Sequence, residues 1–164
     1  VNQDIVACTL SRTFAVLSIG IWACDRGTWT YAACGHEGCT ILGKTGIRHL
    51  TSTGPMLGMF PDARWEICQI PLKEGDRVFL YTDGVTEAGV LEEGLLGTQG
   101  VEDILAAAAD LGLDEQVSQV MQEAARRGHG QATDDITMLA FEILSPDRTD
   151  RHPTNGNIAQ AAQG

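Results

Sequence analysis

The hydrophobic pattern changes character partway along the chain. Up to Thr82 the apolar residues stand in short runs divided by turn residues; beyond Val101 they recur every three or four positions. Phe14 to Cys24 (FAVLSIGIWAC) is nearly continuous in apolar residues, the pattern of a strand covered on both faces. Asp25-Arg-Gly-Thr28 is a turn and Trp29 to Cys34 returns, which makes a hairpin. Thr40 to Gly43 and Ile47 to Thr51 form a second pair around Lys44-Thr-Gly46. A loop over Thr53-Gly-Pro-Met-Leu-Gly58 precedes the run Trp65 to Leu72. Lys73-Glu-Gly-Asp76 then reads as a turn and Arg77 to Thr82 as a strand.

In the second regime Val101, Ile104, Leu105, Ala108 and Leu111 predict one helix. Val117, Val120, Met121 and Ala124 predict another, with Asp114 placed to cap it. Ile136 to Leu144 (ITMLAFEIL) is a further near-continuous strand, and Val1 to Leu10 reads as the end of a helix. After Ser145-Pro146 the composition turns polar and rich in Gly, Asn and Gln, the mark of an unstructured tail. Short strands joined by hairpins, with helices grouped rather than alternating, predict an antiparallel α+β domain over residues 1–145 and a tail over 146–164. Strands apolar on both faces add a β-sandwich flanked by helices.

Composition narrows the classes. The chain has 164 residues and a formal charge of −11, so it repels nucleic acid and anionic membrane surfaces. Its longest apolar run, Ala15 to Cys24, is too short for a membrane span. Five cysteines (8, 24, 34, 39 and 68) are too sparse for a disulfide framework and point to a reducing compartment, with cytoplasm the expected location.

Two acidic sites sit at strand ends. Asp83 directly follows the strand ending at Thr82, and Asp134-Asp135 directly precedes the strand beginning at Ile136. If those strands are antiparallel neighbours, the end of one lies beside the start of the other and Asp83 and Asp134 converge. Carboxylates forced together share protons or hold a cation. Hard oxygen ligands suit Mg²⁺ or Mn²⁺. Gly84 would let the backbone come close to the ions. Turn-forming or capping roles would use the same residues, and spacing alone leaves both readings open.

Tyr81-Thr-Asp-Gly-Val-Thr-Glu-Ala88, taken with Ala132-Thr-Asp-Asp-Ile-Thr137, resembles the metal-dependent (PPM-type) serine/threonine phosphatases, in particular the bacterial branch typified by SpoIIE and RsbU. Phe14-Ala-Val-Leu17, Thr30-Tyr-Ala-Ala-Cys-Gly-His36, Gly54-Pro-Met-Leu-Gly58 and Lys73-Glu-Gly-Asp-Arg-Val-Phe-Leu80 stand in the family's order. The resemblance implies a two-metal site for Mn²⁺ or Mg²⁺, with Asp83 and Asp134 as ligands and Asp135 as support or an additional ligand. It implies in-line attack on phosphorus by a metal-activated water, with no nucleophilic side chain. The implied substrate is phosphoserine or phosphothreonine on a regulatory protein of the anti-anti-sigma (STAS-like) kind, and an upstream sensor domain is the expected neighbour.

The same resemblance contains a departure. The family's earlier Asp-Val/Ile-Ser-Gly segment, whose aspartate bridges both metals, does not occur here; Asp4 and Asp25 have other neighbours. Val1 is not methionine, and the segment is expected upstream, so that this chain holds the C-terminal three quarters of the domain and half of the metal site. Weak metal binding and little catalysis are then expected of it, and a sheet short of strands would invite pairing with a second copy as a homodimer.

Smaller signals have structural readings beside functional ones. Cys34-Gly-His36-Glu-Gly-Cys39 has a zinc-corner or redox-pair spacing but no fourth ligand nearby, and buried hairpin cysteines fit as well. Arg126, Arg127 or His129 could meet substrate phosphate, or could be the basic end of a helix stopped by Gly128. Trp22, Trp29 and Trp65 read as core or hairpin partners. Two rivals to a protein phosphatase stand: a catalytically inactive pseudophosphatase serving as a binding module, and a metal hydrolase acting on a small phosphorylated molecule.

Overall fold

The computed structural model describes residues 1–8, 13–35, 39–89, 94–128, 135–145 and 159–160. Helix α1 (Asn2–Cys8) is followed by strands β1 (Leu17–Ala23), β2 (Thr28–Cys34), β3 (Cys39–Gly43), β4 (Gly46–Leu50), β5 (Cys68–Pro71) and β6 (Arg77–Tyr81). A single helical turn, α2 (Asp83–Thr86), leads to α3 (Gly97–Ala107) and α4 (Leu113–Arg127), and the chain returns as β7 (Thr137–Glu142) and β8 (Ala159–Gln160). The strands form two sheets with the orders β1-β2-β5 and β4-β3-β6-β7-β8. Each strand pairing that is described by register is antiparallel, as the grouped pattern predicts. Among the described residues no helix is long and apolar enough to cross a membrane.

Residues 1–39 and 49–73 make one compact unit. The hairpin of β1 and β2 aligns Trp22 with Trp29 and Gly20 with Tyr31. A Cβ at Gly20 would fall within the Trp29 ring, so glycine is what lets the buried indole lie across that face of β1. The other face differs from expectation. Ile19 and Ile21 are 51% and 64% exposed, so β1 is covered on one face only. Strict alternation sends Gly20 and Trp22 to one side and the two isoleucines to the other. The run Trp65 to Leu72 is also strand only from Cys68. Trp65 is diverted, its indole N–H donating to Pro55 O at 2.6 Å, and Glu66 N–H donates to Thr53 O at 3.1 Å. Tyr31 lies opposite Cys68. Burial first, then a hydrogen bond to the Cys68 thiol, pushes the Tyr31 phenol up to about 12.

Residues 40–48 and 74–164 make the second unit. Its core is Phe79 and Tyr81 of β6, Val85 of α2, Val101 and Leu105 of α3, and Val120 of α4, packed with their neighbours into one cluster. Helices at 3.6-residue spacing thus cover one face of an antiparallel sheet. On the same sheet the Thr40 hydroxyl and the Tyr81 phenol, both buried, hydrogen-bond at 2.9 Å.

The cap of α4 is not Asp114. The helix begins at Leu113, two residues earlier than an Asp114 cap would place it, which makes Gly112 the cap and Glu115 the third helical residue. The Glu115 carboxylate reaches back to accept the Gly112 N–H at 3.1 Å. In the tail read as unstructured, Ala159 pairs with Met138 and Gln160 with Thr137; residues 146–158 and 161–164 lie outside the described residues.

Candidate functional site

The site is built where β6 ends beside the start of β7. Their register places Leu80 opposite Leu139 and Tyr81 opposite Met138. One residue further, Thr82 N–H donates to Thr137 O at 3.0 Å. The return bond, however, goes to a side chain: Thr137 N–H donates to Thr82 Oγ1 at 3.0 Å. The Thr82 hydroxyl in turn donates to Asp135 O at 2.7 Å. The expected antiparallel neighbours are therefore present, and they bring the Asp83 end of one strand to the Asp135 start of the other.

Asp83 opens the single turn of α2. Val85 N–H donates to Thr82 O at 3.0 Å, and Glu87 N–H donates to Asp83 O at 2.7 Å. The Thr86 hydroxyl donates to the same Asp83 carbonyl at 3.1 Å. The Asp83 carboxylate accepts the Gly84 N–H on Oδ1 at 3.0 Å and is otherwise exposed, as is Asp135. Gly84 is buried against the opposite segment, and a Cβ there would sit 2.6 Å from Asp135 O and 3.0 Å from its carbonyl carbon. Glycine is needed at this position for close backbone approach, not for an unusual φ.

Two exposed carboxylates are thus delivered by two backbones in direct contact. They are hard oxygen donors, the kind that suits Mg²⁺ or Mn²⁺. Among the described residues no group of three His, Cys, Asp or Glu gathers into a metal site. Asp134, the second predicted ligand, lies outside the described residues, as does His129. The donor type at this end fits the implied ions, with Asp83 and Asp135 as the described contributors.

Arg127 is the last residue of α4, and Gly128 follows it as the cap. Its Nε donates to Glu123 at 2.8 Å and a terminal nitrogen donates to Leu95 O at 3.3 Å. Arg126 adds two bonds to the same carboxylate, each 2.7 Å. The Arg126 bonds, then the Arg127 bond, lower Glu123 from 4.5 to about 2. A carboxylate depressed on folding stabilises the protein above its unfolded value and loses that contribution on acidification. The stability difference between wild type and Glu123→Gln is therefore expected to be full above pH 4.5 and to vanish as pH falls toward about 2. Thermal melts across that range check it.

Cys34 and Cys39 are both buried, and burial raises both thiols, Cys39 to about 12. They pack as small hydrophobes; His36 between them lies outside the described residues. No residue pattern marks the Thr82 hydroxyl as the group that closes the β6–β7 ladder. Its only signal was position, directly between a strand and an acid.

The family model for Stage II sporulation protein E (SpoIIE) matches residues 1–144. Protein IcfG from Synechocystis is 35% identical over 129 residues, which is 77% of this chain and 20% of IcfG. The SiaA-PP2C domain of Pseudomonas aeruginosa shares the fold at a TM-score of 0.74 with 21% identity, covering 87% of this chain and 57% of that one. The RsbU and RsbW domains of a Mycobacterium tuberculosis protein give 0.73 with 23% identity, covering 88% and 41%. The phosphatase domain of SpoIIE from Bacillus subtilis, presoaked with Mn, gives 0.65 with 18% identity, covering 79% and 57%. This chain spans a fifth of the length of IcfG and about half of each solved relative. With the family match running over the strand-end acids and strands β1 to β7, the chain belongs to the SpoIIE family of PPM-type phosphatase domains.

Proposed function

We propose that this chain works as part of a metal-dependent phosphatase that removes phosphate from serine or threonine of a regulatory partner protein. The observation that carries the reading is the locking of Thr82-Asp83-Gly84 onto the backbone of Asp135, which presents the acids of two strand ends together. Asp83 and Asp134 would hold Mn²⁺ or Mg²⁺, and Asp135 would support them or ligate. Ions bound there supply an activated water and neutralise phosphoryl oxygens. The chain's own residues do the positioning: β6 and β7 fix the two segments, and the α2 turn fixes the Asp83 backbone. Arg127, held by Glu123 and Leu95 O, would offer its remaining N–H groups to substrate phosphate, with His129 two residues further along the sequence.

Residues 1–145 are assigned to the phosphatase domain and 146–164 to a tail. The partner proposed is a STAS-like phosphoprotein, by analogy with the RsbU domain among the structural relatives, in a cytoplasmic setting with an upstream sensor domain and a homodimer as further elements. A second reading is a pseudophosphatase that binds the phosphorylated partner without turnover.

The test uses the full-length protein. Phosphate release from an aryl phosphate is expected to require Mn²⁺ or Mg²⁺, to stop on chelation and to return when metal is restored. A protein inert with every divalent metal, yet able to bind the phosphorylated partner, would establish the second reading instead.

A further inference from the structure

The Thr82 hydroxyl joins the two acidic segments through a side chain. It is both acceptor and donor, taking the Thr137 N–H at 3.0 Å and giving its own proton to Asp135 O at 2.7 Å. Thr82 N–H donates to Thr137 O at 3.0 Å, so three hydrogen bonds made by this residue fix the start of β7. Neither Asp83 nor Asp135 is held in place by burial, since both are exposed. Backbone register at Thr82 and the Gly84 contact set how the two segments that carry them meet. Gly84 sets how near the two backbones come, a van der Waals limit. Thr82 sets which residue of the β7 approach lies opposite Asp83, which is a directional constraint.

We infer that Thr82 is a positioning residue of the metal centre, its hydroxyl holding Asp135 at the spacing from Asp83 that a divalent cation requires. The inference rests on the proposed function above. Deleting the hydroxyl without changing side-chain shape leaves Asp135 O and Thr137 N–H without their partner, while water at this exposed end can replace both bonds without preserving the spacing. The fold then survives and the ligand geometry does not. Groups that orient ligands from behind change metal affinity by about 10- to 100-fold when removed.

The experiment measures Mn²⁺ binding by calorimetry, or by electron paramagnetic resonance of free Mn²⁺, on the full-length protein. Thr82→Val is expected to bind Mn²⁺ about 10- to 100-fold more weakly. Thr82→Ser, which keeps the hydroxyl, is expected to bind within about threefold of wild type by the same logic of retained bonds. Hydrogen exchange at Thr137 N–H should accelerate in Thr82→Val and not in Thr82→Ser. Asp83→Asn separates the two possible failures. If Asp83→Asn loses Mn²⁺ while Thr82→Val binds as wild type does, the Thr82 assignment is wrong and the metal site stands. If wild type and Asp83→Asn bind Mn²⁺ equally, the metal reading falls and takes the role of Thr82 with it. A Thr82→Val that melts earlier yet keeps full Mn²⁺ affinity would show the residue to be structural only.

Discussion

Asp83→Asn is expected to lower Mn²⁺-dependent phosphate release by the full-length protein by roughly 10³-fold, because metal charge stabilisation is worth several kcal/mol and each 1.4 kcal/mol is tenfold. The same change should leave the melting temperature almost untouched. Asp83 is exposed, and the bond its side chain makes to Gly84 N–H needs only an oxygen acceptor, which asparagine retains. Surface changes of this kind fall within about 0.5 kcal/mol. Gly84→Ala should lose activity too, less steeply and by another route. Its new Cβ would stand 2.6 Å from Asp135 O, and since that obstacle is backbone, the Asp135 segment has to move. Displacement of a reacting constellation by about 1 Å costs on the order of 100-fold. The alanine variant, unlike the asparagine one, should also melt earlier. Activity paired with melting curves separates a lost ligand from a displaced one. Full activity in Asp83→Asn would show that the acid at this strand end is a turn former.

What the sequence carried, and what it withheld, divides along physical lines. Period-2 and 3.6-residue patterns are local, so the hairpin of β1 and β2, the β3–β4 pair, α3, α4 and β7 were all legible, with ends off by a few residues. The covering of a face is not local. Phe14 to Cys24 and Ile136 to Leu144 both read as doubly covered, yet Ile21 is 64% exposed and Leu139 is 48% exposed. An apolar run records what a strand can bury, not what reaches it. Capping failed at Asp114 for a related reason. Asp114 and Glu115 are adjacent acids, and which one bonds the helix start depends on the exact first residue, Leu113. At the site, the approach of the Asp83 segment to Asp135 followed from antiparallel pairing alone. The Thr82 hydroxyl and the turn of α2 could not be foreseen, because each depends on a partner more than fifty residues away or on a single turn too short to have a period.

Arg77→Ala is expected to destabilise the protein by about 3 kcal/mol, through several partners at once. Arg77 starts β6 and lies opposite Glu142 of β7, with its Nε donating to that carboxylate at 3.0 Å. The other arm leaves the sheet and donates to Leu111 O and to Gln116 Oε1, each at 2.8 Å, at the junction of α3 and α4. Gln116 has no solvent exposure and gives its amide to Ala108 O at 2.9 Å. Removing the guanidinium strands a fully buried amide oxygen and leaves Glu142 without its cation. For a domain of this size the loss corresponds to a fall in melting temperature of about 6–12 °C. Arg77→Lys should recover little of it, because one ammonium cannot serve a carboxylate, a carbonyl and an amide in the directions the planar fork does. Arg77→Ala combined with Gln116→Leu should be less destabilised than the sum of the single changes, since the second removes the acceptor that the first strands. Simple additivity would mean that Gln116 and Arg77 are not coupled. Six residues of extended chain, about 20 Å, separate Arg77 from Asp83. The melting temperature should therefore fall while Mn²⁺ affinity, measured well below the melt, stays at the wild-type value.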